Sequence, residues 1–199
     1  MRNLIFGLAI VATTLAVGKS TNKSTESLSL RIGAQSITKA DNTNFTASSI
    51  AVANNAVSIK EIVTAYLQLK NALTEDNSTG AAAAGKKLTA AFKNFDKSTL
   101  TPAQKKTYED VEADASENAE HIGANGGKIE HQREHFVLLS KDIYDLVKAF
   151  GGGQVLYKDF DPMANNGKGA FWLSETKEIK NPYMGKAMLT SGSIQEEIK

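Results

Sequence analysis

The sequence predicts a mainly α protein, an antiparallel four-helix bundle with a small C-terminal cap of loops and one β-hairpin. Three observations predict it. Between residues 57 and 150, apolar residues recur at helical spacing in four separate runs. The runs are divided by short breakers such as Asp76-Asn77-Ser78-Thr79-Gly80 and Asn125-Gly126-Gly127. Beyond Gly151-Gly152-Gly153 the period changes and strand-favouring residues appear. Four amphipathic helices joined by short loops bury their stripes most simply by packing antiparallel.

The first run opens at Ser58-Ile59-Lys60-Glu61, which reads as a capping box: the hydroxyl bonds the third amide and Glu61 reaches back. Ile59, Ile62, Val63, Tyr66, Leu69 and Leu73 then form one stripe. A second helix is expected from about Ala81 to Phe95, with Ala84, Leu88, Ala91, Phe92 and Phe95 on one side. Its Ala-rich start favours helix and lets a neighbour come close. Thr101-Pro102-Ala103-Gln104 is a strong start signal for a third helix, which runs to about Ala124 behind Tyr108, Val111, Ala115 and Ile122. The fourth, Lys128 to Phe150, places Ile129, Arg133, Phe136, Ser140, Ile143, Val147 and Phe150 on one face. The cap, about 154–199, should hold a strand over Gln154–Phe160, a turn at Asn166-Gly167 and a return strand over Ala170–Leu173. Trp172, Phe160 and Phe171 are expected to pack it on the helices.

Two segments precede this domain. Arg2, the apolar Leu4–Val17 and the small residues before Lys19 read as a signal peptide over 1–18. Its apolar stretch is short of the roughly 20 residues that span a bilayer. The mature chain is therefore expected to be exported, periplasmic or extracellular, with no membrane span. No Cys follows Gly18, so a lipid anchor is unsupported. Residues 19–56 are rich in Ser, Thr and Asn and read as a linker.

Composition removes several kinds of function. With 23 Lys and Arg against 22 Asp and Glu, the 199-residue chain has no field that would gather nucleic acid. The absence of Cys removes disulfides, thiolate nucleophiles and zinc fingers together. No G-x-S-x-G or phosphate-cradling loop occurs, and the Asp and Glu residues are scattered as solvated charge. The expectation is a protein without catalytic activity.

Two groups of side chains could bind a metal. Met163, Met184 and Met188 crowd into the cap, and their thioethers are soft neutral donors that suit Cu(I). They could equally fill gaps in a small core. His131 and His135 lie one helical turn apart, on the side away from the apolar stripe, facing solvent or another element. His121, near the end of the third helix, could pair with the fourth. The run His131-Gln132-Arg133-Glu134-His135 resembles a zincin helix loosely, but Gln132 stands where the metalloprotease Glu must be.

Read together, His131 to Phe136, Leu139-Ser140, Asp161-Pro162-Met163-Ala164-Asn165, Gly169 to Ser174, Glu178 to Tyr183 and Met188-Leu189 give a wider resemblance. The chain from about Val57 to Lys199 resembles a family of uncharacterised exported helical domains, found alone or fused to CusB-like membrane-fusion adaptors of copper and silver efflux. The resemblance implies a helical bundle with a cap, an envelope location, a part in heavy-metal handling with copper as the metal, and a metal-efflux adaptor or other envelope protein as partner. It adds Asp161 to the ligand candidates. The family usually has Cys where this chain has Asp161 and Ser191, so a thiolate site is lost here. Two readings stay open: weak metal binding through Met and His, or a metal-free interaction module that keeps the packing residues alone.

Overall fold

The computed structural model describes residues 58–199, and the expected signal segment and linker lie outside them. Four long helices come first: α1 (Lys60–Thr74), α2 (Ser78–Lys93), α3 (Pro102–Ala124) and α4 (Ile129–Phe150). Three strands follow, β1 (Leu156–Asp161), β2 (Ala170–Ser174) and β3 (Ser193–Ile198), in an antiparallel sheet of order β2-β1-β3. Each helix packs on the next in the chain, α1 also touches α4, and β2 lies against α4 and α1. No helix among the described residues is long and apolar enough to cross a membrane.

The helix starts follow local chemistry, with two corrections. Thr101 and Gln104 cap α3 reciprocally, with Pro102 at its first position, as the sequence predicts. Ser58 does not cap α1: its hydroxyl accepts only from the Lys60 amide (3.2 Å), and Ile59 takes the cap position without a side-chain bond. Helix α2 starts within the expected breaker, because the Asn77 carboxamide accepts from the Gly80 amide (2.8 Å) and turns a break into an N-cap. The centres of the predicted stripes are buried, with Tyr66, Leu69, Leu88, Tyr108, Ala115, Phe136 and Ile143 each 0% exposed, whereas Ala91, Phe95, Ile129 and Phe150 are half-buried. Helices α2 and α3 come close where a Cβ on Gly85 would meet the Ala119 carbonyl oxygen at 2.8 Å. That close approach holds the last turns of α3 beside its neighbours.

The cap has three strands where the sequence suggested one hairpin. β1 and β2 pair as expected, with Asp159 opposite Trp172 and Phe160 opposite Phe171. β3 adds to the far edge of β1, its register broken between Lys158 and Asp159. Its polar sequence, S-I-Q-E-E-I, leaves most side chains exposed and only Ile198 buried. Trp172 is fully buried and meets Tyr183 edge-on at 5.9 Å. Phe171 packs on Tyr144 of α4 at 5.6 Å, whereas Phe160 is half-buried and lies over Gly169.

Buried polar groups fasten the sheet to the helices. The Tyr66 hydroxyl accepts from the Leu173 amide (3.0 Å) and lies 2.9 Å from Ser140 Oγ. The Tyr183 hydroxyl donates to the Phe171 carbonyl at 2.7 Å and sits 3.4 Å from the same Ser140. Burial pushes both phenols well above the ordinary tyrosine range, so they stay neutral and able to donate. Lys70, 1% exposed, pairs with Glu175 at 2.8 Å, and Asn71 donates to the other Glu175 oxygen at 2.7 Å.

Two fully buried side chains lack such support: the Trp172 indole nitrogen and the Asp159 carboxylate have no hydrogen-bond partner. Asp159 is 0% exposed and neither carboxylate oxygen has a hydrogen-bond partner. Burial pushes its pKa up to about 7, against the pull of Lys70. An unfolded Asp releases its proton near ~3.9. The folded chain thus binds more protons between those values, so the stability Asp159 allows is full at low pH and declines as pH rises through about 7. Asp159→Asn should raise the melting temperature at pH 8 by several degrees more than at pH 5. Thermal melts of both proteins at the two pH values check this, and an equal shift at both would contradict it.

Candidate metal-binding site

The site begins with Gln132, whose side chain is 0% exposed. Its amide nitrogen donates to the Ser78 carbonyl (3.0 Å) and the Ile122 carbonyl (3.1 Å). Its oxygen accepts from the Ser78 hydroxyl at 2.7 Å, and that hydroxyl accepts from the Gly127 amide at 2.7 Å. One residue of α4 thus adds a second donor to the Ile122 carbonyl, which the Asn125 amide also reaches at 3.4 Å, and ties the start of α2 to the α3–α4 turn. The Asn125 carboxamide closes the turn by donating to the His121 carbonyl at 2.8 Å. With its polar groups buried and paired, this joint fixes the last turn of α3 against the first turns of α4.

That joint brings the three histidines together. His121 comes from α3, His131 and His135 from α4, and one ring nitrogen from each lies within 4.8 Å of the others. The His121 and His135 rings stack at 4.5 Å, and His131 meets His135 edge-on at 4.6 Å. Nitrogen donors at about 2.0–2.1 Å from one zinc-like ion lie roughly 3.3 Å apart, so modest rotations of exposed rings would complete the set. His121 and His131 are 47% and 40% exposed and free to make them.

Asn118 orients the deepest ring. Its amide nitrogen donates to the Asp114 carbonyl (2.8 Å), which turns its oxygen toward His135 Nδ1 at 2.9 Å. Nδ1 therefore carries the proton, and Nε2 is left with a lone pair for a metal. Burial lowers the His135 pKa, helped by His121 and His131, so the ring stays neutral, the form that coordinates. Glu117 approaches His121 at 3.7 Å and Glu134 approaches His131 at 3.4 Å, adding negative charge at the rim.

The remaining candidates lie outside this cluster. Asp161 is fully buried: Oδ1 accepts from the Met163 amide (2.9 Å), and Oδ2 accepts from Asn181 Nδ2 (2.7 Å) and Ser191 Oγ (3.1 Å). Its oxygens are committed to holding the cap. Met163 and Met184 line one cleft between α4 and the cap. Met188, 44% exposed in the short turn Gly185–Met188, is not among that cleft's lining residues. Sequence reasoning saw Gln132 only as a missing catalytic Glu and did not find Asn118. Neither carries a motif, since their roles come from where α3 meets α4.

Comparison with known proteins adds one finding. Residues 62–154 match a family described as "Protein of unknown function (DUF3347)". The match begins two residues into α1, takes in α2 to α4 and the three histidines, and ends before β1. No curated protein and no solved structure matches the chain significantly.

Gln132→Ala would remove the side-chain donor shared by the Ser78 and Ile122 carbonyls and the acceptor of the Ser78 hydroxyl. A loss of about 1–3 kcal/mol is expected. Urea unfolding of the variant measures it, and unchanged stability would show that the joint does not hold α3 to α4.

Proposed function

We infer that this chain is an exported, non-catalytic metal-handling protein of the cell envelope. In this reading the four helices form an antiparallel bundle that displays one three-imidazole site. The observation that carries it is the convergence of His121, His131 and His135 donor nitrogens within 4.8 Å. Imidazole nitrogens suit borderline divalent ions, Zn(II) and Cu(II), and Cu(II) heads the affinity order for such donors. Half-exposed rings leave the ion open to an incoming ligand, which fits holding and passing on a metal rather than burying it for structure. A metal-efflux adaptor or another envelope protein would be the natural recipient.

A metal-free interaction module is the second reading. It is favoured by the committed hydrogen bonds of Asp161, which hold the cap together with no ion.

Calorimetric titration of the purified chain with Cu(II) and Zn(II) separates the two. Binding of one ion per chain is expected, with His121→Ala and His135→Ala each weakening it roughly tenfold or more, and Asn118→Leu weakening it about tenfold through the lost orientation of His135. No binding, or affinity unchanged in both histidine variants, would overturn the metal reading and leave the interaction module.

A further inference from the structure

Asp159 sits in the middle strand of the sheet, where β1 is least regular. The β1–β3 register breaks between Lys158 and Asp159, and past that break Asp159 stands opposite Ile194. On its other side it stands opposite Trp172 of β2. A bulge of this kind re-aims a side chain and weakens the ladder around it. Here it leaves a carboxyl group fully buried, with neither oxygen hydrogen-bonded. Once ionised, such a group needs a partner or water.

The charged and titratable groups around it are engaged elsewhere. Lys70 of α1 favours its ionised form, but that ammonium is held 2.8 Å from Glu175, just past β2. Tyr66, also on α1, stays neutral, and its hydroxyl meets the Leu173 amide and Ser140. Along β1, the Lys158 ammonium lies over the Tyr144 and Phe171 rings at 4.1 and 4.3 Å. Both Asp161 oxygens are bonded within the cap. On β3, Glu196 binds α4 and Glu197 lies 3.7 Å from Lys177. Ionisation of Asp159 therefore calls for water, and part of the cap must move to admit it.

The part that moves most easily is β3. Buried bonds from Tyr66 and Tyr183 fasten β2 to the helices. Strand β3 buries only Ile198, and it reaches α4 through Glu196, which accepts from Tyr144 (2.7 Å) and Lys148 (2.8 Å). Its root is well fixed. Asn181 donates to the Ser191 carbonyl (3.0 Å), and the Ser191 hydroxyl donates to Asp161 (3.1 Å). Gly192 follows with φ at +117°, a conformation that suits glycine. The strand can turn about Gly192 while Ser191 stays in place, and doing so uncovers the outer edge of β1 beside Asp159.

We propose that β3 is a pH-sensitive strap, closed over the neutral Asp159 side chain in acid and released about Gly192 when that side chain ionises. The device is independent of the histidine site. With the strap closed, Asp159 keeps its proton up to about 7, whereas in water it would lose it near ~3.9. Opening thus releases a proton between those values, so the opening constant should rise nearly tenfold per pH unit between about 5 and 7 and level off above. Hydrogen exchange of the full chain from pH 5 to pH 8, expressed as protection factors, tests this. Protection of the Ser193–Ile198 amides should fall on the order of a hundredfold over that range. At every pH it should lie below that of the amides in the middle of α4, which marks an opening short of global unfolding. Asp159→Asn should make the β3 profile flat, and Glu196→Gln should lower β3 protection at every pH and keep the slope. A flat profile in the native chain, a slope that persists in Asp159→Asn, or β3 amides as well protected as those of α4 would each overturn the proposal.

Discussion

The buried carboxamide of Gln132 is the contact on which the geometry of the helical layer depends. Three contacts, to Ser78 twice and to Ile122, use the donor and acceptor of a side chain that is 0% exposed. Removing it would take away three hydrogen bonds made by a buried side chain, a larger loss than an ordinary surface bond. The same contacts also set position. Because Ser78 belongs to α2, Ile122 to α3 and Gln132 to α4, the joint ties three helices at one end and sets their relative register. The facing histidines lie within one helical turn of it on either side, at 121 on α3 and at 131 and 135 on α4. Their convergence follows from that register.

A second set of polar contacts fastens the cap. Arg133, next to Gln132, points the other way and bonds the Pro182 carbonyl, the Leu73 carbonyl and Asp76. Arg133 holds the Asp76 carboxyl below the usual carboxylate range, a sign that the ionised pair is favoured. The Lys186 amide donates to the other Asp76 oxygen at 3.1 Å, so Asp76 bridges α4 and the short turn that follows Tyr183. Gly185 is required there. A Cβ on it would collide with the Asp76 carboxylate and the Arg133 guanidinium, and its φ of +55° suits glycine. Adjacent residues of one helix therefore set the histidines on one side and the methionine turns on the other.

Much of the helical part was legible in the sequence because helical period and caps are local signals. Thr101-Pro102-Ala103-Gln104 behaves as its chemistry dictates, and the stripe of α4 is buried where the spacing places it. Ser58 and Asn77 show the limit of such signals. Both are good caps by type, yet only Asn77 caps its helix, while Ile59 takes the cap position of α1. β3 was missed because an edge strand with one buried side chain shows neither alternation nor a run of apolar residues. His131 and His135 were legible as a pair from their spacing alone. That His121 would stack on His135 depended on the α3–α4 turn, and the Asn118 and Gln132 roles depended on contacts between helices that no local pattern encodes.

The polar core explains why the cap can be so well fixed with so few strands. Ser140 lies between the Tyr66 and Tyr183 hydroxyls, and Tyr66 also accepts from the β2 backbone, so sheet and helices share one hydrogen-bonded seam. A metal bound at the histidines would then sit on a surface already rigid without it. X-ray absorption at the copper edge, on the full chain loaded with one equivalent of Cu(II), tests the central claim most directly. The account predicts back-scattering from three imidazoles on each copper. A spectrum showing a single imidazole with oxygen donors would contradict it.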